Sequence, residues 1–308
     1  VRIRTVSSEE ACSLKRRQLK NCGKLSAAGI LVLAFILSGC GTSAGASNSA
    51  VSEAAVSASS ADDLLSDIPA DPDAPASDFA DATRYRVTAD VMDLADVNTY
   101  PQRVDVLSAS APYDMEISID HVTYFNLDNV PYRQYDYDEA VAQYLVGSEE
   151  VQVDAKAIIE IADSFAAPSA SIQTIVGKAL SWTKTNITYD DNLADEIFSG
   201  TSSGRSADET IACRKGTCNE YTNVFIACMR CLGIPARYIA GFWMTDSNLP
   251  MYHAWAEFYL QGYGWIPVDP MAGTWGQNTE YVKLFIGLDF ADIDVKLREI
   301  NGTYEIID

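Results

Sequence analysis

The sequence has only two histidines and few basic residues: 22 Lys and Arg against 43 Asp and Glu, a formal net charge of −21. The shortage is uneven. Residues 1–24 hold seven Lys or Arg, which leaves 15 basic against 41 acidic residues in the rest of the chain. Such a chain is a poor general nucleic-acid binder, because phosphate contacts need Lys and Arg. Cysteine is also sparse. Seven in 308 residues is an odd count at low density, which excludes a disulfide-stapled scaffold. The apolar run Leu25–Leu37 is short. As a helix it spans about 20 Å, less than the roughly 30 Å hydrocarbon core, so a permanent transmembrane helix is the weaker reading. Internal repeats are not visible. What is present is 48% hydrophobic and 10% aromatic residues, enough for one large core or two smaller ones. That excludes a wholly disordered, collagen-like or polytopic membrane chain.

Lys15, Arg16, Arg17, Lys20 and Lys24 precede the apolar run, and Leu37-Ser38-Gly39-Cys40 closes it. A basic start, a short apolar stretch and small residues read as a secretory signal peptide over 1–39. The closing tetrad resembles the bacterial lipobox. The resemblance implies cleavage before Cys40, a diacylglycerol on its sulfur and acylation of the new amino group. Two or three acyl chains make a stable anchor where one does not. The folded part is then expected lipid-anchored to the cell membrane, on its extracytoplasmic face. An uncleaved or simply secreted signal with a chance cysteine is the bland alternative. Residues 40–80 are Ala, Ser, Asp and Pro, with Asp62, Asp63, Asp67, Asp71, Asp73 and Asp78 repelling one another. They read as a disordered tether with a root-mean-square span of about 35 Å.

Residues 81–149 read as a β-rich region. Tyr85–Val91 and Met115–Val122 alternate with period two, and Asn98-Thr99-Tyr100-Pro101 is a turn signal. His121 reads as a half-exposed strand residue, and Tyr132, Tyr135 and Tyr137 as amphipathic packing rather than a binding face. From residue 150 the period changes. Asp154–Phe165 and Ser171–Lys184 are spaced as helices, and polar, Gly/Ser-punctuated residues 191–212 read as a surface loop.

Gly216-Thr217-Cys218 opens a third helical pattern, Val224, Phe225, Ala227, Cys228 and Cys231, which Gly233 and Pro235 stop. Cys218 therefore falls in the first turn, where unpaired N–H groups and the helix dipole favour a thiolate. Two strands follow, Ala236–Trp243 and His253–Leu260. Gln261-Gly262-Tyr263-Gly264 turns the chain into a third, Trp265–Pro270. Counting from that turn brings His253 and Asp269 to the same open end of the hairpin. A nucleophile at a helix start, a base on a strand and an orienting acid on the next strand make a triad. Cys213, Cys218, Cys228 and Cys231 could in principle hold zinc, but Cys228 and Cys231 fall on the apolar side of the helix, where small buried cysteines are ordinary. Glu257 shares a strand face with His253 and reads equally as a neighbour of the site or a rim charge. Trp182 reads as a core residue.

Gly-Thr-Cys-Asn-Glu-Tyr, Leu-Gly-Ile-Pro-Ala-Arg, His-Ala-Trp-Ala-Glu and Gly-Trp-Ile-Pro-Val-Asp-Pro occur in that order. Together they resemble the transglutaminase-like superfamily over roughly residues 150–290. The resemblance implies an α+β, papain-like core in residues 150–308, with the nucleophile-bearing helix packed on an antiparallel sheet. It gives Cys218 the place of the nucleophile, His253 of the base and Asp269 of the third member. Tyr189 matches a recurrent family tyrosine, read here as packing with site-lining as the lesser alternative, and Arg237 reads as structural. The implied activity is thiol acyl transfer on protein or peptide amides, as peptidase, amidase or transglutaminase, with cell-wall peptide among the substrates such a lipoprotein would meet. A catalytically silent peptide-binding or structural lipoprotein is the alternative. No calcium-site motif is visible, and no cofactor is implied. The Cys218 backbone N–H is a candidate oxyanion donor; the sequence does not identify a second.

Overall fold

The computed structural model describes residues 78–89, 98–108, 112–121, 127–167, 169–244, 250–293 and 302–306. The signal peptide, Cys40 and all but the last three residues of the tether lie outside them. In chain order come strands Thr83–Ala89 (β1), Gln102–Ser108 (β2) and Tyr113–Ile119 (β3). Helices Glu139–Ala142 (α1), Lys156–Phe165 (α2) and Ile172–Asn186 (α3) follow, then the short strand Thr188–Tyr189 (β4). Helices Asp191–Phe198 (α4) and Ala207–Cys213 (α5), strand Lys215–Gly216 (β5) and helix Cys218–Cys231 (α6) come next. The last strands are Ala236–Met244 (β6), Pro250–Leu260 (β7), Gly264–Asp269 (β8), Thr274–Trp275 (β9), Tyr281–Gly287 (β10) and Gly302–Ile306 (β11).

Period-two alternation builds the first sheet. Tyr85, Val87, Val104, Met115 and Ile117 point inward, while Arg86 lies outside, paired with Asp114 at 2.6 Å. The order is β11-β1-β3-β2, all antiparallel. The fourth strand thus comes from the far end of the described chain. His121 is exposed beside the hydroxyl of Thr83, at 3.4 Å.

The second sheet, β10-β6-β7-β8-β9, is also antiparallel. Alternation splits β7 between two clusters. Ala254, Ala256 and Phe258 join the main core with Val224 and Phe225 of α6. Trp255 faces the other way, against Ile239 and Tyr281. With both faces covered, the strands are buried nearly throughout. Polar ties lock the first sheet to β10: the Gln102 carboxamide pairs with both backbone groups of Lys283 at 2.9 Å, and the Tyr85 hydroxyl donates to the Thr279 carbonyl. Tyr132 and Tyr137 pack as expected, the first donating to the Leu232 carbonyl and the second meeting Tyr259 edge-on.

Two sequence expectations are settled here. Residues 191–212 are not a loop: they form α4 and α5 with a turn between them. Each helix is short and buries few side chains (Leu193 in α4; Ala207, Thr210 and Ile211 in α5), so neither shows a long apolar period. Asp190 and Ser206 cap them, and that local chemistry starts a helix without such a period. Glu257 is not a rim charge. It is fully buried between Arg237 and Lys283, its oxygens 2.5 Å from each. Lys283 also donates to Thr99 and the Tyr100 carbonyl, carrying this ion triad across to the first sheet.

Candidate active site

Every residue of α6 is buried except Cys218, which is half-buried at its first position. The sequence fixes that start locally. Thr217 caps the helix, and Glu220 reaches back to the Thr217 N–H at 2.6 Å and hydroxyl at 2.8 Å. Gly216 makes room for this: a Cβ there would meet Glu220 Cβ at 2.3 Å. The other Glu220 oxygen accepts the Arg205 N–H, and the Arg205 guanidinium pairs with Asp190 at 2.9 Å. The turn between α4 and α5 is thereby held against the helix start.

His253 lies on β7 and is 5% exposed. The turn at Gly262 and Gly264, both at positive φ, sets a register that pairs Ala256 with Val268. Asp269 is the next residue along β8, and its Oδ2 lies 2.9 Å from His253 Nε2. Cys218 lines one cleft with His253 and, with Asp269, is one of the two groups that favour the charged imidazole. The structure therefore brings Cys218, His253 and Asp269 together in one chain of contacts.

Asp269 is a saturated acceptor. Besides His253, its Oδ2 receives the Tyr281 hydroxyl at 2.9 Å, and its Oδ1 receives the N–H groups of Met271 and Ala272, each at 2.9 Å. Burial opposes its charge, but His253 and these donors hold the carboxyl below its ordinary range. Burial likewise works against the His253 proton. The Asp269 and Cys218 contacts outweigh it and push the imidazole up to about 9. Aromatic rings fix the imidazole plane: Tyr281 edge-on at 4.7 Å, Trp255 stacked at 6.1 Å and Trp243 at 6.3 Å.

The thiol opens into a cleft of about 390 Å³. Tyr189, Ile197, Phe198 and Tyr252 line it, and Asn219 and Tyr238 form polar wall. Tyr189 is therefore a cleft residue, 44% exposed, and not core packing. A two-residue parallel pairing of β4 with β5 places it there, a long-range contact without a periodic signal. Phe198 is 65% exposed, Tyr252 40%, and their rings meet at 6.0 Å. Trp182 instead packs against the core under the Arg214 guanidinium. Sequence reasoning also missed Tyr281 and the Asn219–Tyr238 pair. The four described cysteines are free thiols that do not converge: Cys213 is exposed, and Cys228 and Cys231 are buried in α6. Among the described residues no three Cys, His, Asp or Glu side chains are grouped as a metal set.

A buried helix presenting a cysteine from its first turn to a histidine and an acid on an antiparallel sheet defines an α+β, papain-like core. Residues 159–270 match the family model for the transglutaminase-like superfamily, and this core is transglutaminase-like. The uncharacterized protein Rv2569c of Mycobacterium tuberculosis is 25% identical over 121 residues, 33% of this chain and 38% of the relative. An uncharacterized Haemophilus influenzae protein is 36% identical over 76 residues, 18% of this chain and 21% of the relative. The chain thus spans less than two-fifths of the length of these curated relatives. Among solved structures, one from Cytophaga hutchinsonii, described provisionally as a cysteine protease, is 21% identical. It covers 74% of this chain and 88% of that one, with a TM-score of 0.48.

Proposed function

We propose that the chain is a membrane-anchored thiol acyl transferase or hydrolase of protein or peptide amides. Cys218 is its nucleophile, His253 its acid–base group and Asp269 the acid that orients and balances the imidazole. The observation that carries this reading is the shared histidine: His253 is bonded to a buried, saturated carboxylate at 2.9 Å and shares a cleft with a half-buried cysteine that favours its charged form. The Cys218 thiolate attacks the amide carbonyl carbon, and the carbonyl electron pair moves to oxygen. As the adduct collapses, the C–N bond breaks and the leaving amine takes the His253 proton. A thioester remains on Cys218. Water or a second amine, deprotonated by His253, attacks that thioester and releases the thiol. Water needs no site of its own, so hydrolysis by a peptidase or amidase is the preferred direction. The anchor would be lipid on Cys40, which holds the cleft at the extracytoplasmic face, within reach of cell-wall peptides.

The test is iodoacetamide labelling of the full chain in detergent across pH, with each cysteine read by peptide mass spectrometry and a His253→Ala control. Labelling of Cys218 faster than that of the exposed Cys213 at every pH tested, lost in the control, is the expected result. Labelling no faster than that of an ordinary thiol, and indifferent to His253, would sink the proposal. Incorporation of labelled palmitate in a bacterial host, abolished by Cys40→Ser, tests the anchor separately.

A further inference from the structure

A tetrahedral adduct on Cys218 puts negative charge on one oxygen, and that oxygen needs donors fixed in advance. The first turn of a helix leaves its N–H groups without intrahelical partners, so the Cys218 N–H is one donor beside the thiol. A second lies one residue on. Asn219 is 7% exposed, yet it lines the same cleft as Cys218 and His253. Its Oδ1 accepts the hydroxyl of Tyr238, itself fully buried. That bond sets the amide orientation: the oxygen faces Tyr238 and Nδ2 faces away. Nδ2 makes no hydrogen bond to any described residue. The Asn219 backbone N–H is turned back to Thr217 Oγ1 at 3.4 Å, so the side chain is what remains to serve the cleft. A residue nine-tenths buried, with its amide oxygen satisfied and its amide nitrogen unbonded, next in the chain to a nucleophile and lining the same cleft, is an anion-ready arrangement.

We infer that Asn219 Nδ2 is the second oxyanion donor, and that Tyr238 is the positioning residue that aims it. The inference rests on the reading of Cys218 as nucleophile. When the thiolate adds to a carbonyl, the C–S bond forms and the C=O π pair becomes the oxyanion lone pair. That oxygen then accepts from the Cys218 N–H and Asn219 Nδ2. When the C=O bond reforms and the leaving group departs, both donors relax to the weaker carbonyl contact. Alkylation by iodoacetamide forms a C–S bond by displacing iodide and develops no oxyanion.

The experiment compares two reactions of Cys218 in the full chain: acylation by p-nitrophenyl acetate, through an oxyanion, and alkylation by iodoacetamide, without one. The quantity read is their rate ratio. Asn219→Ala removes the carboxamide; Asn219→Asp keeps an oxygen for Tyr238 but has no donor. Both are expected to lower the ratio about 100- to 1,000-fold. Tyr238→Phe keeps the donor and loses only its aim, and is expected to lower the ratio less than tenfold. A merely structural Asn219–Tyr238 bond predicts the opposite order, with Tyr238→Phe at least as damaging as Asn219→Asp. That order, or a fall of less than tenfold in either Asn219 variant, overturns the inference. If unaltered Cys218 alkylates no faster than an ordinary thiol, the nucleophile reading fails first, a result separate from the ratios.

Discussion

Two buried carboxylates sit on neighbouring strands of one hairpin, Glu257 on β7 and Asp269 on β8. They are 0% and 2% exposed, and both are held below the ordinary carboxylate range against the pull of burial. Their partners differ. Glu257 lies between a guanidinium and an ammonium, 2.5 Å from each, and the triad is shut inside the protein. Asp269 lies against an imidazole whose other side reaches a cysteine in an open cleft. An acid closed between two buried cations, with no open space beside it, can only brace. An acid against a group that can lose its proton, next to an open space, can take part in chemistry. The difference lies in the partner and the exit, not in the carboxylate.

The sharpest way to break this contrast is to neutralise each acid. Asp269→Asn should cost about 10⁴-fold in acyl transfer, by analogy with loss of the orienting acid in other triads, while lowering the melting temperature less than Glu257→Gln does. Glu257→Gln leaves two buried cations facing a neutral side chain. It should destabilise by about 3–5 kcal/mol, on the order of 10 °C in melting temperature, with the rate per folded molecule unchanged. Calorimetry beside a thioester-forming assay reads both; equal thermal losses, or an activity loss confined to Glu257→Gln, would erase the distinction.

pH separates the two acids in a second way. Glu257 is depressed in the folded chain, so its contribution is present above the unfolded pKa of about 4.3 and lost as pH falls through its folded value. Glu257→Gln should flatten the acid limb of a stability–pH curve. His253 is raised from 6.5 to about 9, so its contribution is complete below about 6.5 and disappears as pH climbs through 9. His253→Ala should flatten the alkaline limb instead. In the unaltered chain, acylation by an amide should fall above about pH 9, as the proton destined for the leaving amine is lost. The smallest effect concerns Tyr281, one of four donors to Asp269. Tyr281→Phe should lower the acylation rate about tenfold, worth roughly 1.4 kcal/mol, because three donors still hold the carboxylate. A change below twofold would mean that Tyr281 only packs.

Much of this was legible in the sequence because the signals are local. Gly216-Thr217 marks a helix start, so the place of Cys218 follows from its immediate neighbours; that Glu220 completes the cap shows only in the structure. Alternation along β7 and a glycine-marked turn bring His253 near Asp269 by counting. What stayed hidden is either too short or too far apart. The helix α4 buries only Leu193, which leaves no period to read. Lys283 meets Glu257 across 26 positions and Tyr281 meets Asp269 across 12, on strands whose pairing order no local pattern gives. The orientation of Asn219 depends on Tyr238, on a strand beyond the end of α6.

The antiparallel pairing of β11 with β1 also says something about time. A ribosome makes β1 before every other described element and β11 after them, so an unpaired edge of the first sheet waits while nearly all the described chain is synthesised. Open strand edges recruit other strands, and long-range pairings form slowly. The first sheet therefore completes only after the region bearing Cys218 and His253 has been made. A nascent chain can assemble the reactive hairpin while its flank is still open, and a release that comes too soon would expose that edge to other chains.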